Sequence, residues 1–231
     1  MVDEKRFKLV DTKTGKEYEF DGISGSIGPD VINISSLYKK TGLFTYDPGF
    51  TSTAACNSKI TYIDGEKGIL QYRGYPIDEL ANNSSHLEVC YLLMHGELPS
   101  ESDKNEFEEI IKNHTLLNEQ IIQFYKGFRR DAHPMAMMIG IVGALSSFYH
   151  DTLNIEDPEH RMIASHRILA KMPTIAAMAY KYSVGEPFVY PLNKLNYAEN
   201  FLHMCFATPA EEYEISSLYS KIMDQIFILH A

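Results

Sequence analysis

The sequence predicts a mainly α, multi-helical protein with a small β-rich module at its N-terminal end. Three observations carry that reading. Strand-type alternation with turn residues fills the first 80 positions, apolar residues recur at helical spacing afterwards, and Ser or Pro stands where several helices should begin. The expected division is residues 1–80 for the β-rich module and 81–231 for the helical part.

Within the module, Phe7 to Phe20 reads as a polar hairpin that turns at Asp11-Thr12-Lys13-Thr14-Gly15. Gly22, Gly25 and Gly28 follow at regular spacing. No Lys-Ser/Thr comes after them, so they read as loop and not as a phosphate cradle. A second hairpin alternates from Lys59 to Ile63, takes a tight turn at Asp64-Gly65, and resumes from Gly68 to Tyr72. Gly74 and Pro76 break it.

His86 to His95 is a short apolar helix, and Ser100 caps the next, which runs through Phe107, Ile110 and Ile111. Thr115 to Phe128 places Leu116, Leu117, Ile121, Ile122 and Tyr125 on one stripe. Pro134 and Pro158 sit at first helical positions. Met135 to Tyr149 reads as a buried helix, with Gly140, Gly143, Ser146 and Ser147 allowing close packing. It is shorter than the ~20 residues a membrane span requires. Pro173 is expected to start a separate helix, Ile175 to Tyr182, before an irregular link from Gly185 to Pro191. Tyr197 to Phe206 and Ile215 to Ala231 complete the helices. The last has Leu218, Ile222, Ile226 and Leu229 at helical spacing but no Gly or Asn stop, which reads as a helix cut short.

A net charge of −10 without a basic run argues against a nucleic-acid surface. Three scattered cysteines, Cys56, Cys90 and Cys205, fit a reducing cytosol better than a disulfide framework. The opening MVDEKRFKLV lacks the apolar core of a secretory signal, so the reading is cytoplasmic, with no membrane partner. No His-Glu-x-x-His or Cys-x-x-Cys spacing points to a metal. Cys56 reads as a small packed residue, and His133 as part of a helix N-terminal turn with ion pairs. His150 and His160 could approach across an acidic, solvated loop. Arg167 and Lys171, spaced i,i+4, put two cations on one helix face. They are either solvated, paired with Glu159 or Asp157, or arranged around an anion.

The block Phe44 to Leu80, FTYDPGFTSTAACNSKITYIDGEKGILQYRGYPIDEL, closely resembles the N-terminal signature of bacterial-type citrate synthases. The resemblance continues through Leu87-Glu88-Val89-Cys90-Tyr91, Arg129 to Ala136, Lys171 to Met178, Glu199-Asn200-Phe201-Leu202 and Ile228-Leu229-His230-Ala231. It implies a fragment of that family's multi-helical large domain, and a whole protein that condenses acetyl-CoA with oxaloacetate to citrate and CoA. It implies no cofactor beyond those substrates, and a homodimer or homohexamer. In the family an Asp-His-Glu segment follows the match to His230-Ala231, and further catalytic His and Asp residues come later. The resemblance therefore implies that no catalytic residue lies within this chain. His230 would be an active-site neighbour or a helix-end histidine facing the dipole.

In the NADH-regulated class of the family, an allosteric site uses residues matching Tyr149, Arg167, Lys171, His114 and Thr115. Asn113, Leu116 and Ala210 stand where that pattern has Arg, Met and Cys, which implies weakened or absent NADH sensitivity. Two alternatives stay open: a 2-methylcitrate synthase fragment, and a non-enzymatic helical protein that binds nucleotides.

Overall fold

The computed structural model describes residues 5–231. The first four residues of the expected module, and with them part of the stretch read as no secretory signal, lie outside the described residues. The fold is mainly α with a small strand module, in two compact units, Met1–Tyr62 and Ile63–Ala231.

In the first unit, β1 (Arg6–Val10) pairs antiparallel with β2 (Glu17–Ile23), with Phe7 opposite Phe20 and Val10 opposite Glu17. The turn closes on the Asp11 carboxylate, which accepts from Lys13 N and Thr14 Oγ1. A short β3 (Val31–Ile32) adds to β2, and α1 (Leu37–Thr41) follows. The DPGFTST segment folds around one side chain. The Asp47 carboxylate accepts from Thr51 N and Oγ1, Ser52 N and Thr53 Oγ1. Those bonds, the one from Thr53 foremost, hold its pKa down to about 2. Cys56, expected to be packed, is exposed, because the loop closes on Asp47 and buries nothing around the thiol.

The boundary between the units falls inside β4 (Thr61–Asp64), which belongs to a three-stranded sheet ordered β4, β5 (Ile69–Tyr72), β6 (Tyr75–Pro76). The expected two-residue Asp64-Gly65 turn is instead a four-residue turn. Asp64 ends the strand, its carboxylate accepts from Lys67 N at 3.0 Å, and Gly68 takes the left-handed conformation at φ 67. The tight two-residue turn lies further on. Arg73 and Gly74 (φ 51 and 92) join the paired Tyr72 and Tyr75, the positive-φ pair that suits a hairpin's twist.

Six of the eight helices of this unit, all but α2 and α5, begin at side chains that accept from their first free N–H groups. They are α2 (Ile77–Asn83), α3 (His86–His95), α4 (Glu101–Lys112), α5 (Ile121–Gly127), α6 (Pro134–Leu145), α7 (Pro158–Val184), α8 (Tyr197–Phe206) and α9 (Ser217–Leu229). Ser85 with Glu88, Ser100 with Asp103 and Asn196 with Glu199 form reciprocal caps on α3, α4 and α8. His133 and Asp157 cap α6 and α7, each with Pro next at N1. The Arg129–Asp131 ion pair precedes the His133 cap. One core cluster joins Ile121 and Tyr125 of α5, Met137 and Ile141 of α6, and Ile175 and Met178 of α7. A second joins Leu80, Val89 and Leu92 to Ile228 of α9.

Three helical expectations are corrected. Residues 115–120 are not helical, because the backbone carbonyls of 114, 115 and 116 accept from side chains of α7. Met135 to Tyr149 is not buried throughout. One stripe (Met137, Ile141, Leu145) packs inward, whereas Met135 and Ile139 are 54% and 68% exposed. Pro173 does not begin a helix, but sits within α7. Proline lacks the N–H that would bind the carbonyl four residues back, and an interior proline costs ~3 kcal/mol or more. Here the Tyr197 hydroxyl donates to that very carbonyl, Leu169 O, at 3.0 Å, and α7 runs on.

Candidate functional site

The N-terminal half of α7 meets the segment that links it to α6. A 3₁₀ turn at His150–Thr152 brings Tyr149, Asp151 and Thr152 around Arg167. The guanidinium lies over the Tyr149 ring at 4.7 Å and donates to both Asp151 oxygens, at 3.0 and 2.9 Å, and to Thr152 Oγ1 at 3.0 Å. Its partner is Asp151, not the expected Glu159 or Asp157, because the turn folds the linking segment back against α7 while Asp157 stays behind as the helix cap. The bidentate pair raises the Arg167 pKa and lowers that of Asp151.

One turn on, Lys171 is buried and its ammonium lies 5.3 Å from the centre of the same ring. It donates to His114 O at 2.5 Å and Leu116 O at 2.7 Å, and Thr174 donates to Thr115 O at 2.9 Å. Burial, helped by the Arg167 charge, lowers the Lys171 pKa to about 8. The His114 ring bonds Ile110 O at 2.7 Å, and the Thr115 hydroxyl donates to Lys112 O at 3.1 Å. Both side chains therefore close the end of α4.

The five residues singled out from the sequence, Tyr149, Arg167, Lys171, His114 and Thr115, thus come together. Chemically they set two cations against one tyrosine ring, with Lys171 buried on backbone carbonyls and Arg167 the charge placed to meet an anion carried on a planar ring. Asn113, at the C-cap of α4, and Leu116, which is 57% exposed, flank His114 and Thr115. Ala210 lies in the exposed turn spanned by the Thr208–Glu211 bridge. His230 stands elsewhere, at the C-cap of α9, its ring bonded to Ile226 O at 2.8 Å. The sequence reading missed Asp151 and Thr152. Their signal was adjacency to Tyr149, hidden because Asp151 read as the start of a solvated acidic loop.

A cavity of about 470 Å³ opens among α3, α4, α7, α8 and α9, lined by Ile111, Thr115, Thr174, Tyr197 and Asp224 among others. Thr115 alone of the five reaches it. Asp224 of α9 accepts from the His86 backbone N–H, capping α3 from a distant helix, and burial raises its pKa. His86 and Cys90 touch at 3.3 Å, and burial pushes the His86 pKa down to about 4 and that of Cys90 up to about 12. Both are thus neutral near pH 7, and the thiol is not an activated nucleophile. Among the described residues, no group of three or more His, Cys, Asp or Glu is placed to hold a metal ion, and no helix is long and apolar enough to cross a membrane.

Comparison with known proteins places this architecture. A family profile described as "Citrate synthase, C-terminal domain" matches residues 49–231. The citrate synthase of Pyrobaculum aerophilum is 30% identical, over 96% of this chain and 51% of that one, with a TM-score of 0.69. That of Thermotoga maritima MSB8 is 28% identical, over 80% and 46%, with a TM-score of 0.65. The Thermoplasma acidophilum enzyme, solved as a ternary complex with carboxymethyl coenzyme A and oxaloacetate, shares the fold at 23% identity and a TM-score of 0.70, over 78% and 45%. The chain spans about half the length of these solved structures. The profile match covers most of the chain, which therefore belongs to the citrate synthase family.

Proposed function

We propose that this member of the citrate synthase family is part of an enzyme that condenses acetyl-CoA with oxaloacetate, releasing citrate and CoA. The family match over residues 49–231 carries the reading, and the half-length span against solved citrate synthases supports the view that more chain completes the enzyme. On this reading residues 81–231 supply part of the helical large domain. The groups that take a proton from the acetyl methyl and polarise the oxaloacetate carbonyl lie outside the 231 residues, and His230 supports the pocket from the end of α9. No cofactor beyond the two substrates is called for. The assembled enzyme is a cytoplasmic homodimer or homohexamer. The decisive assay is thiol release from acetyl-CoA and oxaloacetate. The 231-residue chain should release none, and turnover by it would overturn the assignment of the catalytic groups elsewhere.

The Tyr149, Arg167, Lys171, His114 and Thr115 cluster is the enzyme's nucleotide site, of the kind used by the NADH-regulated class. The observation favouring it is the pair of cations over one tyrosine ring, at 4.7 and 5.3 Å. Its grip is weak. Asn113 contributes no charge, and both cations already have acceptors within the chain. Titrating the complete enzyme with NADH should give little or no inhibition, whereas sigmoidal inhibition at micromolar NADH would contradict this.

A further inference from the structure

The Arg167–Asp151 pair has the form of the contact a phosphate would make: two parallel N–H···O bonds to one planar fork. With Thr152 it engages three of the five guanidinium donors. The two partners are held very differently. The Arg167 side chain is 18% exposed, resting on the Tyr149 ring and bonded to Thr152, while the Asp151 side chain is 62% exposed. The carboxylate can therefore rotate into water without moving the guanidinium, at a cost of about 1 kcal/mol for a bidentate pair exposed on that side. Lys171 offers no alternative handle, since its ammonium is spent on two backbone carbonyls inside the protein.

We infer that Asp151 competes with an incoming phosphate for the Arg167 guanidinium, and so sets how tightly this site holds a phosphate-bearing nucleotide. The inference rests on the nucleotide-site reading above and adds a residue that opposes binding. Asp151 acts twice, by occupying the fork and by repelling a second anion brought within a few ångströms.

The test is calorimetric titration of the intact chain with NADH and, as a phosphate-only probe, with inorganic pyrophosphate. It uses the wild-type chain, Asp151→Asn, Arg167→Gln and the double variant. Asp151→Asn should tighten both ligands about fivefold, Arg167→Gln should weaken both, and the double variant should lose the gain. If Arg167→Gln weakens binding but Asp151→Asn binds no tighter, Asp151 is only a structural partner. The inference then falls while the nucleotide site stands. A gain for NADH without one for pyrophosphate also overturns it, since the phosphate is then not what Asp151 opposes. If Arg167→Gln binds as the wild type does, or no variant binds either ligand, the nucleotide site itself fails and takes the inference with it. Should Asp151→Asn lose its cooperative urea transition, Asp151→Ser is read by the same criteria.

Discussion

Along α7 two polar joints interleave, offset by about half a turn, at Arg167/Lys171 and at Leu169/Pro173, and they are satisfied in opposite ways. At Pro173 the chain is short of one donor, and a single tyrosine hydroxyl from α8 supplies it to Leu169 O. That joint has no spare capacity, and burial holds the Tyr197 phenol protonated by raising its pKa. At Arg167 and Lys171 the chain has a surplus of donors. Lys171 spends its own on two buried carbonyls, but Arg167 spends two on a carboxylate that stands mostly in water. If the Arg167 joint is the nucleotide site proposed above, satisfied hydrogen bonds alone do not separate a structural joint from a binding one. What separates them is whether the partner can leave.

The largest expected effect comes from Lys171→Met, which removes the buried ammonium that the half-buried carbonyls of His114 and Leu116 share. It should cost about 3 kcal/mol by urea denaturation, and loosen the 114–116 segment from α7. The same variant tests the low lysine pKa. Folded Lys171 titrates at about 8 and an unfolded lysine near ~10.4. The unfolded chain thus holds more protons between those values, so this residue makes stability rise with pH from about 8 upward. Lys171→Met should flatten that rise, and an unchanged slope would place the alkaline titration on another group.

Tyr197→Phe ranks next. Stripping the hydroxyl from Leu169 O should cost about 1–2 kcal/mol. If the tyrosine is there to compensate the proline, Pro173→Ala restores the helix's own N–H, and Tyr197→Phe should then cost much less in that background. Equal costs in both backgrounds would refute the pairing of the two residues. At the small end, Asp151→Asn should cost under about 1 kcal/mol, because its pair with Arg167, though bidentate, is exposed on the carboxylate side. A clear loss of stability would put this joint in the same class as the one at Leu169.

The same contrast explains what could be read from the residues alone. The starts at Pro134 and Pro158 and the Ser100 cap were legible because a cap is settled by neighbours within one turn. The continuity of α7 through Pro173 was not, since the repair comes from Tyr197, which is brought to Leu169 only by packing of α8 on α7. Thr115 to Phe128 carries a helical stripe, yet the carbonyls of 114–116 bond to Lys171 and Thr174, more than fifty residues on. In the candidate site, the five residues that meet could be named from family resemblance. Asp151 could not, because its role depends on a 3₁₀ turn that folds it back onto α7.

On the proposed reading the joint at Arg167 binds a ligand, while the one at Pro173 only holds the fold. Urea denaturation of the wild-type chain and of Arg167→Gln, each with and without millimolar NADH, decides between the two roles, because a ligand that binds only the folded state must raise its stability. NADH should raise the midpoint of the wild type and leave that of Arg167→Gln unmoved. A midpoint that NADH leaves unmoved in both, or raises equally in both, would contradict that reading.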